Sequence, residues 1–197
     1  MNKEESKKVK IVLISFSVIL LLISPIIYNS YVSQIKIDVV NGNYSDYETR
    51  VEKLNLVIQL KKNDNNAKHL LIQEFCRNNK FQEALNYLNS ISTYDNIRFS
   101  TIKGMIYELQ NKEDSSRFYY ENALLLFEKK MEGKAQFSIY RLNILMLLNR
   151  FETANEELSK YQISKDYDSF YDTYNPINEF DRQRFINSEL GMPNQLN

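Results

Sequence analysis

Three short stretches carry the same turn chemistry at nearly even spacing: Asn79-Lys80-Phe81-Gln82-Glu83-Ala84, Asn111-Lys112-Glu113-Asp114-Ser115-Ser116 and Asn149-Arg150-Phe151-Glu152-Thr153-Ala154. A fainter copy reads Gly42-Asn43-Tyr44-Ser45-Asp46-Tyr47. Counted from the first residue of each, the copies lie 37, 32 and 38 positions apart. Stacked helical hairpins recur near that period, because a single hairpin cannot bury its apolar face and must pack on its neighbours. Such arrays usually bind other proteins rather than catalyse, so the spacing constrains the fold and the class of job together.

Each copy lies between two segments of helical periodicity. Leu70, Leu71, Ile72 and Phe75 precede Asn79, and Ala84, Leu85, Leu88 and Ile91 follow it at three- and four-residue steps. Ile102, Met105, Ile106 and Leu109 precede Asn111, with Phe118, Tyr119, Ala123, Leu124 and Leu126 after it. Ile139, Leu142, Leu145 and Met146 precede Asn149, with Phe151, Ala154 and Leu158 after it. Asparagine at the turn has a mechanism, since its short polar side chain tolerates the left-handed conformation that ends a helix. Small Ala84 and Ala154 let a second helix approach the first closely. The chain has only 4 Gly and 3 Pro and no sustained strand-like alternation, which argues against a many-turned β architecture. The expected fold is all-α: an N-terminal transmembrane helix followed by a solenoid of antiparallel helix pairs.

These positions resemble the tetratricopeptide repeat family, whose consensus is Trp-x2-Leu-Gly-x2-Tyr in helix A and Gly-x-Tyr-x2-Ala-x3-Phe-x2-Ala in helix B. Leu71, Phe75, Phe81, Ala84, Leu88 and Ile91 fall on its Leu, first Tyr, second Tyr, Ala, Phe and final Ala. In the next copy Gly104, Tyr107, Tyr120 and Ala123 match, while Glu113 and Ser116 depart from Tyr and Ala. In the last, Leu142 and Leu145 replace the Gly and first Tyr, and Phe151, Ala154 and Leu158 match. Gly42, Tyr44, Val51 and Leu54 mark a degenerate leading repeat whose first helix continues from the membrane segment. The likeness covers about residues 41–161, and it implies a concave binding face built from the remaining helix-A positions. That face would present Asn66, His69, Gln73 and Arg77, then Arg98, Thr101, Met105 and Glu108, then Gln136, Ile139, Asn143 and Met146. A mixed polar groove of this kind suits an extended peptide or a partner helix. Co-chaperone members clamp a C-terminal carboxylate with Lys and Asn, but here His69 and Gln73 stand at those places.

The N-terminal part reads differently. Residues 1–10 form a short basic tail, with Lys3, Lys7, Lys8 and Lys10, and no charge occurs from Ile11 to Ile35. At ~1.5 Å per residue, ~20 apolar residues span the ~30 Å hydrocarbon layer, so residues 11–32 are expected to form a single-pass anchor. Tyr28 and Tyr31 fit an interfacial aromatic belt. The rival reading is a cleaved secretory signal, but bulky Tyr28 and Tyr31 occupy positions that should be small. Only Lys36 follows the span closely, so the tail is expected in the cytoplasm and the C-terminal domain outside a bacterial cell membrane.

Residues 33–162 would then hold the repeats, and 163–197 a polar loop and a C-terminal capping helix. The loop is rich in Asp166, Tyr167, Asp168, Tyr171, Asp172 and Tyr174, but Phe170 and Ile177 take places that a calcium loop gives to oxygen ligands. A helix is expected from Asn175-Pro176 to Leu190, stopped by Gly191 and Pro193.

Chemistry-bearing motifs are scarce. One cysteine, Cys76, sits in an apolar helix register and reads as a small buried or groove-lining residue. The single histidine, His69, reads as a surface or groove residue with no second imidazole to share a metal. There is no nucleophile elbow and no Gly-rich phosphate loop, so an enzyme, a cofactor and a small-molecule substrate are not expected. Outside the tail stand 21 basic and 23 acidic residues with no basic stripe, which argues against nucleic acid. The expectation is a membrane-tethered protein–protein interaction module, a scaffold or assembly factor, with a protein or peptide partner. The alternative is a peptide-binding regulatory sensor signalling through the single span.

Overall fold

A computed structural model describes residues 24–91, 97–131, 138–163 and 180–193. Among them are nine helices and no strand. In chain order they are α1 (24–40), α2 (Tyr47–Leu60), α3 (Asn65–Arg77), α4 (Phe81–Ser90), α5 (Ile97–Leu109), α6 (Glu113–Lys130), α7 (Ile139–Leu147), α8 (Phe151–Ile163) and α9 (Arg182–Glu189). They pack as sequential antiparallel pairs, as the repeat spacing implies. The chain divides into two compact units, Met1–Leu71 and Ile72–Asn197, with the division falling inside α3.

In the first unit, α1 and α2 form a hairpin around Val32, Ile35 and Val57, with Ala67 of α3 in the same cluster. Gly42 ends α1 with φ +72°, and the N–H groups of Gly42 and Asn43 return to the carbonyls of Val39 and Asp38. The Asp46 carboxylate caps α2 by accepting from the Thr49 N–H at 2.6 Å. Asp64 does the same for α3, accepting from the Ala67 N–H at 2.9 Å, and also takes the Lys36 ammonium at 2.8 Å. Burial alone would raise the Asp64 carboxyl, but the Lys36 and Ala67 bonds outweigh it and hold it below its ordinary value.

The expected anchor meets the described residues only at 24–32; its residues 11–23 lie outside them. No helix among the described residues is long and apolar enough to cross a membrane. Ile26 and Ile27 are exposed, whereas the Tyr28 hydroxyl donates to the Leu60 carbonyl at 2.6 Å and Val32 is fully buried. The last turns of the apolar run therefore belong to the helical domain's packing.

In the second unit the three asparagine turns are superimposable in their bonding. Asn79, Asn111 and Asn149 have φ values of 57°, 57° and 58°. At each, the asparagine N–H returns to the carbonyl three residues back (Cys76, Glu108, Met146), and the next N–H to the one five back (Phe75, Tyr107, Leu145). This is the Schellman arrangement, which satisfies carbonyls that a helix end would leave bare. It fixes the reversal from α3 to α4, from α5 to α6 and from α7 to α8.

Packing within the pairs follows the small residues. An added Cβ on Gly104 of α5 would stand 2.4 Å from Cε1 of Tyr120 and 3.1 Å from the Ser116 carbonyl oxygen of α6. Only glycine lets that ring approach the helix so closely. Ala84, Ala123 and Ala154 are fully buried in one core with Ile72, Cys76, Leu88, Ile106, Leu142 and Leu158. Cys76 fits the reading of a buried packing residue, and desolvation pushes its thiol up to about 12. α6 carries Glu113 and Asp114 in its first turn and Lys129 and Lys130 in its last, which complements the helix dipole.

Candidate partner-binding groove

Within the second unit, the helix-A face is covered by α9, the last helix among the described residues. α9 begins at Asp181, whose carboxylate accepts from the Arg184 N–H at 2.9 Å. It ends at Gly191, with φ +65° and the same Schellman bonds, from Gly191 to Ser188 and from Met192 to Asn187. The sequence-based start at Asn175-Pro176 is too early: residues 175–179 lie outside the described residues, and Phe180 and Asp181 are not helical. The side chain of Asp181, free to bond two or three residues ahead, makes the better cap.

Arg182 enters where two helices end. Its Nε and Nη2 donate to the two Glu108 oxygens at 2.5 and 2.8 Å, a bidentate pair in the last turn of α5. Nη1 reaches Oδ1 of Asn149 at 3.2 Å and the Met146 carbonyl at 3.4 Å, at the end of α7. The Tyr120 hydroxyl donates to Glu108 Oε2 at 2.7 Å, and the guanidinium carbon lies 6.0 Å from the Tyr120 ring centroid. A cation is favoured here twice over, by the carboxylate and by the negative ends of two helix dipoles. The Glu108 bond accordingly raises the Arg182 pKa. Burial first, and the Glu108 charge second, raise that of Tyr120.

The other end of α9 is held by donors from α3. Gln73 Nε2 donates to the Glu189 carbonyl at 3.0 Å and Arg77 Nε to the Gly191 carbonyl at 2.9 Å. These are carbonyls that a helix C-terminus presents whatever its sequence. Arg98 approaches the Glu189 carboxylate at 3.7 Å. Between the two ends, Ile186 and Leu190 are fully buried. Phe185 and Glu189 face Thr101, Met105, Tyr140 and Asn143 around a residual cavity of about 40 Å³, too small for a ligand. Burial pushes the Tyr140 hydroxyl up to about 12, partly offset by its bond to Thr101.

The expected groove residues thus divide. Gln73, Arg77, Arg98, Thr101, Met105, Glu108, Asn143 and Met146 gather around α9, by side chain or, for Met146, by its carbonyl. Thr101, Met105 and Met146 are buried and present no open surface. Ile139 is exposed at the first turn of α7, and Gln136 lies outside the described residues. Asn66 and His69 belong to the first unit; Asn66 is exposed. His69 is buried rather than at a surface, as are its neighbours Ala67 and Lys68. Sequence reasoning missed Tyr120, Tyr140, Asn149 and Arg182. Tyr120 and Asn149 were read as packing and turn positions only, and Arg182 carried no local signal. On the opposite face of α6, Phe118 and Leu125 are 64% and 63% exposed.

No group of His, Cys, Asp and Glu among the described residues is arranged to hold a metal. No protein-family model, curated protein or solved structure matches the chain.

Proposed function

We propose that the chain is a membrane-tethered interaction module of the tetratricopeptide type, whose helix-A face receives a short helix of a protein partner. The observation that carries the reading is that this face already accommodates a helix, gripping it at both ends through Glu108 and through Gln73 and Arg77. Three Schellman turns with asparagine at the family's turn position, and the Gly104–Tyr120 contact at its Gly and Phe positions, support the repeat assignment. For the tether, support comes from the uncharged run starting at Ile11 and from exposed Ile26 and Ile27 where the described helix begins. The domain would face outward, since the lysines cluster before the run.

Photo-crosslinking in cells tests the face. A crosslinkable residue at Arg98 or Ile139, on the rim of the helix-A face, should capture one discrete partner, and one at Phe118 or Leu125 should not. Equal capture from both faces, or none from the rim, refutes the proposed face. A reporter fused after the last residue checks the orientation, and activity in the cytoplasm overturns it.

A further inference from the structure

The grip on α9 has two parts with different information content. Donation from Gln73 and Arg77 to main-chain carbonyls reads a helix end and nothing more. The acceptor cluster of Glu108, Asn149 and the Met146 carbonyl reads one side chain, a guanidinium, by charge and by its planar fork. α9 spans the distance between them with eight residues, or about 12 Å of helix. It follows α8 in the chain, which ends at Ile163. A ligand carried on the same chain competes intramolecularly, so it shields the face from weak ligands in trans.

We propose that α9 is an internal ligand gating the helix-A face, and that the partner admitted there is a two-turn helix bearing an arginine in its first turn. Apolar residues three, four and eight positions after that arginine complete the pattern, as Phe185, Ile186 and Leu190 do after Arg182. Charge complementarity selects this occupant. A helix lacking the cation leaves Glu108 at the negative ends of α5 and α7 with its Arg partner removed, whereas an arginine-bearing helix replaces α9 bond for bond. The proposal deepens the reading of the helix-A face as a receptor and depends on it.

The test uses the full chain in detergent micelles and a fluorescein-labelled peptide of residues 180–193. In Arg182→Gln, amide exchange of α9 should quicken and the peptide should bind more tightly than to the unaltered chain, both by roughly tenfold for a charge-assisted pair that is partly exposed. The same peptide with its arginine changed to glutamine should lose that gain. A Glu108→Arg chain should prefer a peptide carrying glutamate in place of the arginine, which separates recognition from loosening. Unchanged α9 exchange in Arg182→Gln refutes the latch. Faster exchange with unaltered peptide affinity refutes gating, while leaving the face as a receptor. Faster exchange with no peptide binding to either chain overturns the receptor reading as well. Should Arg182→Gln lose its helical circular dichroism, Arg77→Gln releases the other end and the same readings apply.

Discussion

Replacing Gly104 by alanine separates two physical accounts of the α5–α6 pair. If Gly104 were an ordinary helix-interior glycine, alanine would stabilise the chain by about 1 kcal/mol through backbone entropy. The structure gives the opposite sign. A methyl group at Gly104 would lie 2.4 and 2.5 Å from Cε1 and Cδ1 of Tyr120, well inside van der Waals contact. The ring has nowhere to retreat, since Tyr120 is 1% exposed and its hydroxyl is tied to Glu108 at 2.7 Å. Overpacking of this kind costs about 1–3 kcal/mol. A ring pushed off its bond to a carboxylate forfeits about another 1.5–3 kcal/mol if the bond is lost outright. Against the propensity gain, the net expectation is destabilisation by about 2 kcal/mol, or roughly 4–8 °C in Tm for a chain of this size.

Thermal unfolding of the purified chain, followed by helical circular dichroism, reads that shift. Tyr120→Leu should relieve the clash, so the double variant should show a favourable coupling of about 1 kcal/mol or more relative to the two single changes added together. Displacing Tyr120 also disturbs the carboxylate that holds Arg182, so Gly104→Ala should quicken exchange at α9 without touching it. A rise in Tm on Gly104→Ala would refute the close-packing account, and a strictly additive double variant would refute its attribution to Tyr120.

Two further expectations follow from local geometry. With φ near +57° at Asn79 and Asn111, alanine at either should cost about 1 kcal/mol, whereas glycine should be neutral or stabilising; urea unfolding of the two pairs checks this, and equal effects of Ala and Gly would refute the left-handed assignment. The buried Cys76 thiol, raised from 9.0 to about 12, should resist a thiol reagent at pH 8 until the chain unfolds. Because its folded pKa lies above the unfolded one, the stability it contributes is full below about pH 9 and falls as pH climbs toward 12, and Cys76→Ala should flatten that alkaline loss.

What could be read from the sequence was whatever a few neighbouring residues decide. The Asn79, Asn111 and Asn149 turns are settled by side-chain chemistry within five residues, so the hairpins and their order were visible. So were Ala84, Ala154 and Gly104, because close helix approach demands small residues at fixed steps. The placement of α9 was not visible, since its bonds join residues 33 to 116 positions apart and no local pattern encodes such a pairing. The start of α9 was missed for a different reason. Pro176 competes with Asp181 as a start signal, and only the observed bond to the Arg184 N–H decides between them.

The burial of Met105 and Met146 carries the same lesson into function. Repeat periodicity assigns them to a groove, and a groove is where soft, adaptable side chains suit exchangeable ligands. Both are 1% exposed, and α9 lies against Met105 directly and on the Met146 carbonyl. An apolar strip of that sort left open would be a liability for non-specific association. Covering it with a helix from the same chain removes the liability, and the buried Ile186 and Leu190 hold that cover together with the Glu108–Arg182 pair and the bonds from Gln73 and Arg77. The ion pair is partly exposed, so its own share of that hold is modest. On the reading proposed above, the helix-A face is shut by default and opened by competition, as a regulated binding surface would be.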